Sequence, residues 1–183
     1  MPLIFIAVGV TWGARVATDE AEAGTGDILF SLPISRRSFL VTRMATELLV
    51  LLLLGAVLSA AIIIGAPLVN MSVGVGRVLA ASWATLLAGV VFGAVGILVG
   101  ALSGRRSMAL GISLTAAIAA FVVYSLAPLV EVMDDINLFN PMQWTVGAES
   151  LRNGLSVGYS AVALMFAAVL MAGALVAFDR RDL

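Results

Sequence analysis

Of the chain's 183 residues, 62% are hydrophobic and only 11% are charged, against about 45–50% apolar and about 25% charged in soluble domains, so this is a polytopic integral membrane protein. The net charge of −1 offers no basic stripe to track phosphates and points away from nucleic acid. With no cysteine, no histidine and ten basic residues that are all arginine, there is no disulfide, no thiolate or imidazole metal site, no Ser-His-Asp triad and no lysine for a GxxxxGK[ST] nucleotide loop.

The first apolar stretch, 3–17, is short of the roughly 20 residues that a spanning helix needs. It runs into Arg15 and the acidic patch Asp19, Glu20, Glu22. A signal peptide would carry its positive charge before the apolar run; this stretch reads instead as the cytoplasmic part of a helix whose outer end is clipped. Next comes a polar segment, 18–43, followed by four full spans at about 44–66, 78–102, 108–128 and 157–178. Breaks fall at Ala66-Pro67, at Ser103-Gly104-Arg105-Arg106 and across 129–156.

Glu47 is the one ionisable residue near a span interior, and its position close to the start of the second apolar stretch predicts that it snorkels toward the headgroups. The third stretch carries Gly89, Gly93, Gly96, Gly100 and Gly104 along one helical face. Such small-xxx-small faces let two helix backbones approach closely, either within the chain or between subunits. In 129–156, Asn140-Pro141 starts a short amphipathic helix, with Trp144, Val146, Leu151 and Leu155 among Glu149, Arg152 and Asn153, at or dipping into the outer surface.

Orientation follows from the arginines. With 18–43 on the inside, eight (Arg15, Arg36, Arg37, Arg43, Arg105, Arg106, Arg180, Arg181) are cytoplasmic and two (Arg77, Arg152) lie outside, which satisfies the positive-inside rule. The C-terminal tail is then cytoplasmic as well.

Within the polar segment, Gly24-Thr25-Gly26 breaks the chain. Thr25 can cap a new short helix with Asp27 in its first turn. That helix, about 27–32, shows Ile28, Leu29, Phe30 and Leu32, and Pro33 ends it. Its apolar face fits a partner's groove or the lipid surface, and the residues alone leave both open. Ser35 can cap the following helix, which brings Arg36, Arg37 and Arg43 to headgroup level.

The run E-x-G-T-x-D-I-L-x-S-L-P-I-S-R-R resembles the first cytoplasmic loop of permease subunits of ATP-binding-cassette (ABC) exporters of the type-two branch. It does so through Glu22, Gly24, Thr25, Asp27, Leu29, Leu32, Pro33, Ser35 and Arg36. "ESLRNGLSVGY" (149–159) and "AFDRRDL" (177–183) resemble the passage before that family's last span and its usual ending. The resemblance implies an all-α, polytopic transmembrane helical bundle forming one permease domain over 1–183. It would have four full spans, a truncated N-terminal span, a cytoplasmic coupling helix and a short outer helix.

Such permeases usually have six spans, so a first span and the outer part of the second are expected upstream. The resemblance further implies that this chain binds no cofactor, ATP and Mg residing on a partner ABC ATPase. It implies a second permease subunit, identical or different, and a place in the plasma membrane. Ile28, Leu29 and Leu32 would dock on the ATPase, Gly24 and Pro33 would limit the helix, and Arg36 and Arg37 would anchor the loop or pair with the ATPase. A non-transporting membrane scaffold is the alternative function.

Overall fold

A computed structural model describes residues 1–19, 36–68, 74–129, 136–147 and 154–180. Among these residues the fold is all-α. Helix α1 spans Pro2–Val16, α2 Arg36–Leu68, α3 Val75–Ser103, α4 Arg106–Leu126, α5 Pro141–Thr145 and α6 Val157–Asp179. A 3-10 turn, Ala127–Leu129, closes α4. Four of the helices, α2, α3, α4 and α6, are long and apolar enough to cross a membrane. A bilayer core admits such helices because every backbone amide is satisfied within the segment.

Helix ends follow local chemistry. Pro2 opens α1 at a position where its missing N–H costs nothing. Pro67 lies in the last turn of α2. Gly104 closes α3 in the left-handed conformation, φ 63°, and donates its N–H to the Gly100 carbonyl, the geometry that glycine adopts without a Cβ penalty. At 33 residues, α2 extends about 50 Å. The run from about 44 is its apolar part, and its first two turns carry Arg36, Arg37 and Arg43.

Helix α3 is the axle of the bundle, packed by α1, α2, α4, α5 and α6. Of its spanning stretch 78% is buried, against 17% to 22% for α2, α4 and α6. Three apolar clusters surround it. One groups Phe5, Leu51, Leu87 and Val91 with Ala163 and Ala167. Another groups Leu40, Met44 and Ile97 with Phe178 at the arginine-rich end. The third seats Met142 of α5 among Ile6, Val10, Ala88 and Phe92.

The short helix expected after Asn140 is present as α5, and it dips into the bundle. Asn140 caps it, its side-chain oxygen accepting from the Met142 N–H at 3.0 Å, while its Nδ2 donates to the Ala120 carbonyl of α4 at 2.8 Å. Trp144 donates its Nε1–H to the Leu138 carbonyl at 2.7 Å and sets its ring edge-on to Phe166 of α6, centroids 5.6 Å apart. The tryptophan read as an interfacial belt residue is thus held against a neighbouring helix. Leu151, Glu149, Arg152 and Asn153 lie outside the described residues.

Candidate functional site

The loop residues expected to dock on a partner, Glu22, Gly24, Thr25, Asp27, Ile28, Leu29, Leu32 and Pro33, lie outside the described residues. Both stems of that loop are described. On the incoming side, α1 ends at Val16, and Thr18 donates its hydroxyl back to the Ala14 carbonyl at 2.7 Å in the turn that follows. The Asp19 carboxylate then meets Arg43 of α2 at 3.6 Å, and the Arg43 guanidinium lies 4.8 Å over the Phe39 ring.

On the outgoing side, Arg36 begins α2, and Arg37 donates from Nε to the Asp179 carboxylate at the end of α6. Arg37 was expected at the headgroups or on an ATPase; the fold gives it an acidic partner in its own chain. Exposed pairs of this kind are worth about 0–1 kcal/mol. They contribute little stability; one links the chain just past α1 to α2 and the other links the start of α2 to the end of α6.

Behind the stems lies the glycine seam. Gly89, Gly93, Gly96 and Gly100 face α1. A methyl placed on Gly89 would stand 2.8 Å from the Phe5 carbonyl oxygen, one on Gly96 3.1 Å from the Ala14 nitrogen, and one on Gly100 3.2 Å from the Thr18 side chain. The facing surface on α1 is made by Gly9 and Gly13, where an added methyl would run into the carbonyls of Gly89 and Gly93. This is close backbone packing of the small-residue kind. The sequence reading missed Gly9 and Gly13, although their spacing of four matches that of Gly89 and Gly93.

Glu47 corrects an expectation. It does not snorkel: it is 1% exposed, directed at Gly93, and neither carboxyl oxygen has a hydrogen-bond partner among the described residues. The missing side chain at Gly93 makes the space that the carboxyl fills. Ten residues separate Gly93 from the end of α3 at Ser103, placing the contact about 15 Å along the helix from that end. Leu40, Met44, Glu47 and Leu51, spaced four, three and four, are all buried on one face of α2, and the carboxyl turns inward with that face. A helix face that is buried before and after a residue buries that residue too.

Charge is divided between the two ends of the bundle. The end that carries the loop stems has Arg15, Arg37, Arg43, Arg105, Arg106 and Arg180, and with them Asp19 and Asp179; the other has Arg77 among the described residues. No cluster of metal-ligating side chains is found among the described residues.

Among protein families, the sequence model described as "ABC-2 family transporter protein" matches residues 1–183. No curated protein and no solved structure matches the chain.

Proposed function

The chain belongs to the ABC-2 family of transporters, matched over its full length, and from that premise we propose that it forms one half of an exporter's translocation pathway, driven by a separate ATPase subunit. Its place in the family makes it a membrane-embedded ABC transporter permease. Direction, coupling and partners are our inference. The chain has no lysine and so no ordinary phosphate-binding loop, which assigns ATP and Mg to the partner.

The observation that carries the coupling reading is the bracing of the loop stems, Asp19 to Arg43 and Arg37 to Asp179. A force applied to loop 20–35 passes first into α1 and α2. Helix α1 is seated on the axle through the glycine seam, so displacement of the loop tilts α1 and α3 as one body. Closure of the ATPase around ATP would pull the docked segment 27–32, and the tilt would switch access between the two faces. A second permease subunit would supply the opposite wall of the pathway. Six arginines gathered at the loop end support placing that end, and the C-terminus with it, in the cytoplasm of a cell-membrane protein.

Replacing Leu29 and Leu32 with Asp tests this reading. Burying an unpaired carboxylate in an apolar groove costs several kcal/mol before relaxation, and a loss of even about 3 kcal/mol weakens association more than a hundredfold. The Leu29→Asp, Leu32→Asp protein should insert normally, retain little ATPase subunit on the membrane and lose substrate-stimulated hydrolysis. Arg36→Ala serves as the electrostatic control, and Arg37→Ala, which removes the pair with Asp179, is compared with it as a variant of the frame itself. Full retention and hydrolysis in the double-Asp protein would show that this segment is not the coupling element, and equal membrane levels with no ATPase recovered even from wild type would favour a scaffold.

A further inference from the structure

Helix α5 and its cap touch three parts of the bundle through three side chains. Met142, 1% exposed, sits in the apolar cluster that joins Ile6 and Val10 of α1 to Ala88 and Phe92 of α3. Trp144 stands edge-on to Phe166 of α6. Asn140 reaches α4: its Nδ2 donates to the Ala120 carbonyl at 2.8 Å and to Asn137 Oδ1 at 3.1 Å, while its own Oδ1 accepts from the Met142 N–H at 3.0 Å. Asn137 donates in turn to Gln143 Oε1 at 3.2 Å. Both asparagines are buried, and both hydrogens of the Asn140 amide are used.

Helix α4 is otherwise loosely held. Only 17% of its spanning stretch is buried, and the residues it buries are the small Ala109, Ser113 and Ala117. Ala117 borders the Met142 cluster, but apolar contacts of this kind have no direction and let surfaces slide. The Asn140 bond has direction. Ala120 lies fourteen residues beyond Arg106, about 21 Å along the helix and so within a hydrocarbon core about 30 Å thick. A hydrogen bond in such a dry place is stronger than in water, and a satisfied network is rigid.

We propose that α5 is a transmission element and Asn140 its positioning residue, which through the bond to Ala120 carries α4 along when α1 and α3 tilt. This rests on the ATP-driven tilt proposed above. Seated by Met142, α5 travels with α1 and α3, and the Asn140 amide passes the displacement to α4. No side chain in 136–147 ionises, so the tie works alike at every physiological pH.

Asn140→Ser separates the tie from the cap, because serine caps a helix about as well as asparagine but has no amide to reach Ala120. The chain has no cysteine, so single-cysteine reporters can be read with a water-soluble maleimide on the full chain in native membranes. Thr145→Cys reports on α5 and Ser113→Cys on the buried face of α4, at positions 1% and 0% exposed. Asn140→Ser should speed labelling at 145 by about two- to tenfold, the net value of one hydrogen bond. At 113, ATP with vanadate should leave protection intact where Asn140 is present and abolish it in Asn140→Ser. Without nucleotide, 113 should stay protected in both. Should Ser113→Cys lower membrane levels, Ala109→Cys on the same face replaces it.

Unchanged labelling at 145 in Asn140→Ser would overturn the tie. Labelling at 113 in that variant before nucleotide is added would reduce Asn140 to a structural role and overturn transmission. So would lasting protection at 113 under vanadate in membranes that retain an active ATPase. If even wild-type membranes retain no ATPase, the ATP-driven reading fails and transmission falls with it, while labelling at 145 still decides whether Asn140 holds α5.

Discussion

Helices α2 and α3 lie side by side; α2 is the longer, and its spanning stretch is the more apolar of the two. Yet 17% of the spanning stretch of α2 is buried, against 78% of that of α3. In a soluble protein the ranking would be reversed, because apolar surface is driven out of water. Lipid tails are as apolar as leucine, so apolar surface gains nothing by leaving them. What gathers helices there is close approach of backbones. The leucine run 51–54 of α2 keeps neighbours at side-chain distance, and three of its members face outward or sit at the boundary while Leu51 alone is buried. The glycines of α3 let α1 settle backbone against backbone.

The sharpest way to break this comparison is to add bulk on the α1 side of the seam. At Gly13 the obstructing atoms are the backbone of Gly93, which cannot rotate away. Gly13→Leu should therefore cost about 3 kcal/mol, the upper end for overpacking, seen as a fall in the midpoint of reversible unfolding in mixed detergent micelles. Wild-type stability in that variant would mean that the seam does not order the bundle.

A smaller effect, of opposite sign, is expected where α2 does enter the interior. The Glu47 carboxyl lies against Gly93 without a hydrogen-bond partner among the described residues, and an orphaned buried polar group costs about 1–3 kcal/mol. Glu47→Met keeps the approximate volume and should raise stability by about 1 kcal/mol in the same unfolding assay. A clear loss would reveal a partner for the carboxyl. Intramembrane carboxylates mark functional positions by default, so transport by this more stable variant is the companion measurement.

The smallest effect should come from glycines on open faces. An added Cβ at Gly65 of α2 or Gly111 of α4 would meet nothing within 4 Å. Gly65→Ala and Gly111→Ala should each stabilise by about 0.5–1 kcal/mol through helix propensity alone. A loss at either would locate a helix surface that touches something beyond this chain, which would sharpen the contrast between axle and periphery.

Composition and the length of the apolar runs determined the class by themselves: an all-α membrane bundle, and through the loop pattern at Glu22 to Arg36 its family. These features are legible because the bilayer imposes them on each segment separately. A spanning run needs apolar length and a satisfied backbone whatever its neighbours are. The start of α2 was legible too, from local capping chemistry: Ser35 reads as the cap of a helix that carries Arg36 and Arg37, and α2 begins at Arg36, ahead of the apolar run near 44.

Tertiary structure alone decided pairings. That Gly89 and Gly93 meet Gly9 and Gly13, some eighty positions away, does not follow from periodicity, which gives each stripe but not its partner. That Glu47 turns inward follows from the empty space at Gly93, a property of two helices together. The same holds for Arg37 and Asp179. In each case the deciding quantity is the distance between elements remote in sequence, which side-chain volume at the contact sets and no single segment encodes.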